Sequence, residues 1–452
     1  MTRVLGRAVP LTCLLLSFAC GARAEAPPSE AVALDERRVV RLALDGHPDV
    51  LRAEALRDAA RAGARGAQLT RLPDVKVSGH YTRYSSLPKR YRTVDGILFP
   101  QQLNSAIVRT TLILPITDTF LELAASARAA GREAEAARIE LTHARAQVAF
   151  DARLAFLRYW SRTLAVVNAT EFLHDAEENA RDQRIRKQAG TVARNEVLPF
   201  ETALDSAAMS LEAARAELAE AEANLRTFFP QLADQPLSVP ELPETLHDEV
   251  APRVPRAPRE APRIAAIAQH AKAAEARAEA ASLARLPTLA AVGSVDVSAP
   301  NPRLFVIETM QPFTTWEAGV TLEWSLSQLT AGSARTQEAR RLHRALEAQL
   351  AAAKRILHGE RTGAAGVLLA AQARVLRARQ RVEHAAELAR ARRGELEAGT
   401  ALPLNVVLAE ADLVRAKNEH VDAVVQRAIA LAKLDFIDGR TEPTSTPTPG
   451  LP

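Results

Sequence analysis

Pro48-Asp49-Val50 opens a helix-forming stretch that closes on Arg71-Leu72-Pro73, and Pro262-Arg263-Ile264 opens another that closes on Arg285-Leu286-Pro287. Each runs 25 residues from proline to proline, and the two lie 214 residues apart. Farther along, Thr111-Leu112 answers to Thr321-Leu322 at an offset of 210, and Ala189-Gly190-Thr191 to Ala398-Gly399-Thr400 at 209. Landmarks recurring in order with so little drift mark an internal duplication, the feature to be read before any motif. The copies span residues 36–229 and 261–437. Between them, 230–260 reads as a Pro-rich linker, since 230–262 hold eight of the 26 prolines, a composition that keeps a chain extended. The tail, 438–452, is rich in Pro and Thr from Thr441 onward and is expected to be disordered.

Each copy has the order helix, strand, loop, strand, very long helix, tight turn, long helix. In the first strand Val75, Val77, Gly79 and Tyr81 alternate with Lys76, Ser78, His80 and Thr82. Its partner sets Ala106, Val108, Thr110, Leu112 and Leu114 against Ile107, Arg109 and Thr111. In the second copy Leu289, Ala291, Gly293, Val295 and Val297 oppose Ser294 and Asp296. Trp316, Ala318, Val320, Leu322 and Trp324 oppose Glu317, Gly319, Thr321 and Glu323. Period-two alternation marks strands with one apolar and one polar face. About ten residues is the length with which a tilted strand crosses a bilayer, with interfacial aromatics as a girdle. Tyr81, Trp316 and Trp324 would then face the membrane, and Lys76, His80, Arg109, Asp296, Glu317 and Glu323 a polar lumen. The same pattern also fits a soluble pair of hairpins packed on helices. Four strands cannot close a barrel, and an open edge in lipid strands its backbone groups. Membrane-crossing strands therefore require two or more copies of the chain.

No proline occurs between Pro115 and Pro199, nor between Pro312 and Pro403. A helix from near Thr119 to Ala189 would be about 105 Å long at 1.5 Å per residue. After the first Gly-Thr turn, apolar residues fall at Val197, Phe200, Leu204, Ala207, Leu211, Ala214, Leu218, Ala221, Leu225 and Phe228. That unbroken 3–4 spacing is a coiled-coil seam. The second copy starts alike, with Val406, Ala409, Leu413 and Ala416, and loses the strict spacing at His420.

Composition narrows the remaining classes. Aromatics make up only 4% of the 452 residues, too few for several conventional cores, in which aromatic rings supply much of the bulk. No run of about 20 apolar residues supports a helical membrane span. Residues 1–24 read as a signal peptide, with Arg3 and Arg7, an apolar Val9–Ala19 and a small-residue Ala22-Arg23-Ala24 end. Its removal leaves 55 basic against 54 acidic residues, so the formal charge of +4 is largely a targeting signal and gives no ground for nucleic-acid binding. Both cysteines, Cys13 and Cys20, lie in that segment. Cleavage after Ala24 and lipidation at Cys20 are the two readings of it. The ten histidines show no metal-ligand spacing, and no phosphate loop or G-x-S-x-G occurs. Nothing supports an enzyme, a metal or a cofactor. A basic patch from Arg374 to Arg393 is interleaved with Glu383 and Glu387, which favours a salt-bridged helix.

The signal peptide, the duplicated helix–Leu-Pro–strand unit, the paired Ala-Gly-Thr turns, and Glu196-Val197-Leu198 and Asn405-Val406-Val407 after them together resemble the TolC family of outer-membrane efflux proteins. The resemblance covers nearly the whole mature chain. It implies a mainly α fold with a small β part, trimerised into a twelve-stranded barrel continuous with a tunnel of twelve helices. It implies a passive exit duct in the outer membrane for tripartite efflux or type I secretion. The partners implied are outer-membrane lipid, a periplasmic adaptor and an inner-membrane pump. The tip motif matches Gly190, Thr191, Gly399 and Thr400, which would dock the adaptor. Family members with an acidic ring at the tunnel entrance place Asp six and nine residues after the second-copy glycine. Here Asn405 and Leu408 stand there, and Glu196 is the first-copy counterpart, with Glu410 nearby. The rival class is a periplasmic coiled-coil adaptor or structural protein without a pore. Adaptors normally carry one hairpin flanked by β-rich modules, so two duplicated hairpins with strands favour the duct.

Overall fold

The computed structural model describes residues 32–88, 93, 94, 97, 98, 101, 103–230, 235, 237, 238, 261–300 and 311–440. The signal peptide with Cys20, most of the linker and residues 441–452 lie outside the described residues. In chain order the elements are β1 (Val32–Ala33), α1 (Glu36–Leu44), α2 (Pro48–Leu69), β2 (Asp74–Arg83), β3 (Thr93–Val94), β4 (Ile97–Leu98), β5 (Asn104–Pro115), α3 (Ile116–Phe120), α4 (Glu122–Gln188) and α5 (Arg194–Arg226). They continue with β6 (Leu237–Ser238), α6 (Pro262–Leu283), β7 (Thr288–Ala299), β8 (Phe313–Glu323), α7 (Ser327–Glu397) and α8 (Pro403–Ile437). The fold is mainly helical, and its two halves repeat one element order. Pro48 and Pro262 start 22-residue helices, because proline at the first position lacks only an N–H that would be unpaired anyway.

The long helices α4 and α7 have 67 and 71 residues, or about 100 and 107 Å at 1.5 Å per residue. No single apolar stripe runs along α4, because its neighbours change. Its upper part lies against α2 and α6, its lower part against α5 and α8. Across the wall the helix order is therefore α2–α4–α6–α7 near the strands and α5–α4–α8–α7 near the turns. Every member of the α5 seam from Val197 to Phe228 is buried or half-buried. In α8 the strict spacing fails after His420 for a physical reason. The helix packs on α7 and α4 together, so a wider face with Ala423, Val424, Val425 and Ala430 is buried.

Aromatic bulk is concentrated where the layers meet. Phe156 and Tyr159 of α4 pack with Val39 and Ala43 of α1 and with Leu225 and Phe229. Trp160 and Leu157 pack with Val375 and Ala378 of α7 and Ala423 to Val425 of α8. Elsewhere alanine supplies most of the buried positions, with Phe200, Leu211, Ile264 and Leu368 among the larger side chains. Residues 438–440, placed in the tail by the sequence reading, cap the end of α8 instead. Gly439, at φ 70, donates its N–H to Phe436, Arg440 donates to Asp435, and the Arg440 guanidinium also faces Asp435 and Asp438. Within the linker, β6 pairs in parallel with β1.

The four-stranded sheet has the order β2–β5–β7–β8, antiparallel throughout. Its strands are 10, 12, 12 and 11 residues long. Val77, Thr110, Val295 and Trp316 form one cross-strand row, and Ser78, Arg109, Asp296 and Thr315 the next, on the opposite face. The last strand begins at Phe313 rather than at Trp316. Trp324 lies one residue past its end and donates its indole N–H to the Arg285 carbonyl at 3.3 Å. The long first-copy helix also differs from its expected start. Leu121, at φ -109 and ψ -86, separates α3 from α4. The break is clasped by Arg71, whose Nε donates to the Thr119 carbonyl, and by Thr117, whose hydroxyl accepts from the Leu289 N–H.

Candidate functional site

At the far end of the helices the two turns are built alike. Gly190 and Gly399 have φ 77 and 76, a left-handed conformation that strains any residue with a Cβ. Gly190 N–H donates to the Lys187 carbonyl and Thr191 N–H to Arg186, both at 3.0 Å. Gly399 donates to Leu396 and Thr400 to Glu395, at 3.0 and 2.9 Å. These paired bonds satisfy the carbonyls that end a helix. Each threonine hydroxyl donates to the same carbonyl as its own N–H, to Arg186 at 2.8 Å and to Glu395 at 3.0 Å. The Gly-Thr sequence thus prescribes a reversal completed in five residues, 189–193 and 398–402. It leaves Thr191, Leu402 and Leu404 exposed at the tips.

The two hairpins are tied to each other just above the turns. Glu410 of α8, 7% exposed, accepts from Arg393 of α7 at 2.6 and 3.2 Å. It also accepts from the Asn179 amide of α4 at 3.0 and 3.2 Å. Asn179 precedes Gly190 by 11 residues and Glu410 follows Gly399 by 11, so the two tips stand at one height. Higher up, Lys417 meets Glu171 at 3.0 Å and Asn168 meets Asn418 at 2.8 Å. Sequence reading offered Glu410 as an entrance carboxylate. In the structure it is the buried centre of this cross-hairpin tie. The α8 pattern sets it one turn after Val406, beside the seam, and gives no sign of its partner Asn179 in the other hairpin. Of the other entrance positions, Glu196 and Asn405 are half-buried and Leu408 is 58% exposed.

The sheet gathers the remaining site residues. Register places Lys76, His80, Arg109, Asp296, Glu317 and Glu323 on one face. Arg109 donates twice to Asp296, at 2.7 and 2.8 Å, a forked pair that locks β5 to β7. The Ser294 hydroxyl donates to Glu317 at 3.0 Å, and Lys76 pairs with Asp74 at 3.0 Å. His80 and Glu323 stand apart from this cluster. On this face Ser105, Ser294 and Ser298 are buried. Tyr81 and Trp316 stand on the opposite face, which is apolar and open. Val77, Trp316, Val320 and Leu322 there are 69–73% exposed, and Tyr81 also donates its hydroxyl to Asn104 at 3.1 Å. The sheet is inverted relative to one packed on a soluble core. It shelters small polar groups and presents its apolar side outward, as in a sheet curled around a polar centre. Among the described residues no helix is long and apolar enough to cross a membrane, and no group of three or more acidic, His or Cys side chains is placed to hold a metal.

A search of curated proteins returns no match to the chain. Among solved structures, the outer-membrane channel OprN is similar at 19% identity, covering 89% of both chains with a TM-score of 0.73. The CmeC outer membrane channel of Campylobacter jejuni is 15% identical over 89% of this chain and 85% of its own, with a TM-score of 0.74. The open-state MtrE outer membrane channel of Neisseria gonorrhoeae is 19% identical over 90% and 89%, with a TM-score of 0.72. These likenesses concern the fold. A sequence model of the outer membrane efflux protein family matches residues 39–229 and 254–440, both copies of the duplicated unit. The chain belongs to the outer membrane efflux protein family.

Proposed function

We propose that the protein is the outer-membrane exit duct of a tripartite efflux or type I secretion system, conducting substrates passively. The observation that carries this reading is the inverted sheet. An open apolar face of this size is unstable in water and at rest against lipid chains. Both sheet edges, β2 and β8, lack a strand partner among the described residues, and in lipid every backbone N–H and C=O needs one. Because β2 and β8 run in opposite directions, β8 of one copy can pair antiparallel with β2 of the next. Three copies then give twelve strands, lined by Lys76, His80, Arg109, Asp296, Glu317 and Glu323, with Tyr81, Trp316 and Trp324 toward lipid. The two repeats, 36–229 and 261–437, each supply one hairpin of the periplasmic tunnel.

At the other end, the tips at Gly190, Thr191, Gly399 and Thr400 are the docking points for a periplasmic adaptor, itself served by an inner-membrane pump. The tips part when the tie at Glu410 is released. Membrane fractionation followed by planar-bilayer recording tests the reading. Channel-sized conductance from a trimer in the outer-membrane fraction is expected. A soluble periplasmic protein without conductance would refute it.

A further inference from the structure

The junction between sheet and helices carries one tripeptide twice, Arg71-Leu72-Pro73 before β2 and Arg285-Leu286-Pro287 before β7. Both arginines are half-buried. The Arg71 Nε donates to the Thr119 carbonyl at 3.2 Å, and the Thr119 hydroxyl donates back to the Arg71 carbonyl at 3.4 Å. The Arg285 carbonyl accepts the Trp324 indole N–H, while the Arg285 Nε is sealed from solvent without an acceptor. The terminal nitrogens of both side chains are neither sealed in this way nor bonded to any described residue. Two stems are therefore held at the base of the sheet with their forks open. Of the nearby carboxylates, Asp74 is taken by Lys76 at 3.0 Å. Asp118 and Glu323 pair with neither arginine among the described residues. Higher in the sheet, Arg109 grips Asp296 with both prongs. At the base the chain supplies no such anion.

The chemistry of the missing partner follows from the fork and from its surroundings. A planar guanidinium offers two parallel N–H donors, and phosphate oxygens accept both. A sealed Nε without an acceptor makes the absence of an anion costly. Apolar company shows that the anion carries hydrocarbon. Leu72, Leu286, Phe120, Trp324 and Leu326 are all exposed at this level, Phe120 at 72% and Leu326 at 65%. In the strand order β2–β5–β7–β8, Arg71 and Arg285 enter β2 and β7, whereas Phe120 and Leu326 follow β5 and β8. Cationic and apolar groups thus alternate along the base, the two arginines two strands or about 10 Å apart. Directly above them the open apolar face begins with Val75 and Leu322. A phosphate on the forks would lay attached chains along that face, and a tryptophan with its N–H bonded and its ring exposed suits the same boundary.

We propose that Arg71 and Arg285 seat the phosphodiester of an anionic glycerophospholipid in the leaflet nearer the helices, with Phe120 and Trp324 against its glycerol and upper acyl chains. This rests on the duct proposed above, which sets the sheet in lipid. Two positive forks with no carboxylate of the chain between them favour a headgroup of net negative charge over a zwitterionic one, whose own cation competes for the phosphate.

Nanodiscs made from equal parts phosphatidylglycerol and phosphatidylcholine test it. Lipid that stays on the released protein in native mass spectra should be phosphatidylglycerol at severalfold above its share. Arg71→Gln/Arg285→Gln should return the bound lipid to the mixing ratio, and either single change should lose part of the preference. Arg377→Gln, an exposed arginine 50 residues into α7, should leave it intact. Preference that persists in the double and single variants, or falls equally in Arg377→Gln, would overturn the seat. Displacement of the lipid by excess inorganic phosphate would assign the forks to a free anion and overturn it as well. An unsubstituted protein that conducts yet shows no preference would overturn the seat and leave the duct intact. A protein that neither enters the nanodisc nor conducts would instead overturn the duct.

Discussion

Replacing Glu410 by glutamine removes the charge at the centre of the tie between the hairpins while keeping its shape. The carboxylate accepts four contacts, two from Arg393 at 2.6 and 3.2 Å and two from Asn179 at 3.0 and 3.2 Å. Breaking a buried charged pair costs about 3–5 kcal/mol. The Arg393 side chain is 49% exposed, so water takes over part of its solvation and the lower range for a charged hydrogen bond, about 1.5–3 kcal/mol, applies. We take about 2 kcal/mol, which is roughly a thirtyfold shift in a local opening equilibrium. Amide hydrogen exchange reads that quantity segment by segment. Exchange should accelerate about thirtyfold in residues 183–198 and 393–408, where the hairpins meet below the tie, and remain unchanged in α6. If the protein is the proposed duct, the same variant should open more often in bilayers without a change in single-channel conductance, because the sheet is untouched. Exchange that stays at the unsubstituted rate at both tips would refute the reasoning, as would acceleration spread evenly over α4 and α6.

Other perturbations separate the parts of the molecule. Gly190→Ala and Gly399→Ala force a Cβ into φ 77 and 76, at about 1–2 kcal/mol each; exchange of the Thr191 and Thr400 amides should speed up accordingly and leave the sheet alone. Arg109→Leu leaves Asp296 without its forked partner and should lower the thermal stability of the sheet, while Arg109→Leu/Asp296→Leu should recover most of it. Burial and the neighbouring Asp118 hold the Glu122 carboxyl above its ordinary pKa. A raised folded-state pKa favours folding below the unfolded value, and that advantage is lost as pH rises through the folded one. Glu122→Gln should therefore raise the melting temperature at neutral pH and leave it unchanged well below the carboxylate range. In the proposed duct, with Asn405 and Leu408 at its entrance, periplasmic divalent cations should not block the current; strong blockade abolished by Glu196→Gln would contradict this.

What could be read in the sequence was set by constraints acting within a few residues. Proline at 48 and 262 and glycine at 190 and 399 each have one good backbone solution, so the duplicated frame and its two turns were legible without any contact. The missing parts depend on partners far along the chain. Leu121 breaks α4 from α3 with neither proline nor glycine nearby, because Arg71 and Leu289 clasp Thr119 and Thr117 from 48 and 172 residues away. Glu410 finds Asn179 across 231 residues, and its own helix pattern shows only a carboxylate beside a seam. The strands are the instructive case, because alternation alone never says which face is inside. Serine at 294 and 298 is 5% and 1% exposed while Trp316 is 73% exposed, the reverse of what water selects. That reversal is what supports a lipid-facing sheet over a soluble one in the proposed duct. It is a property of packing, and no period-two pattern contains it.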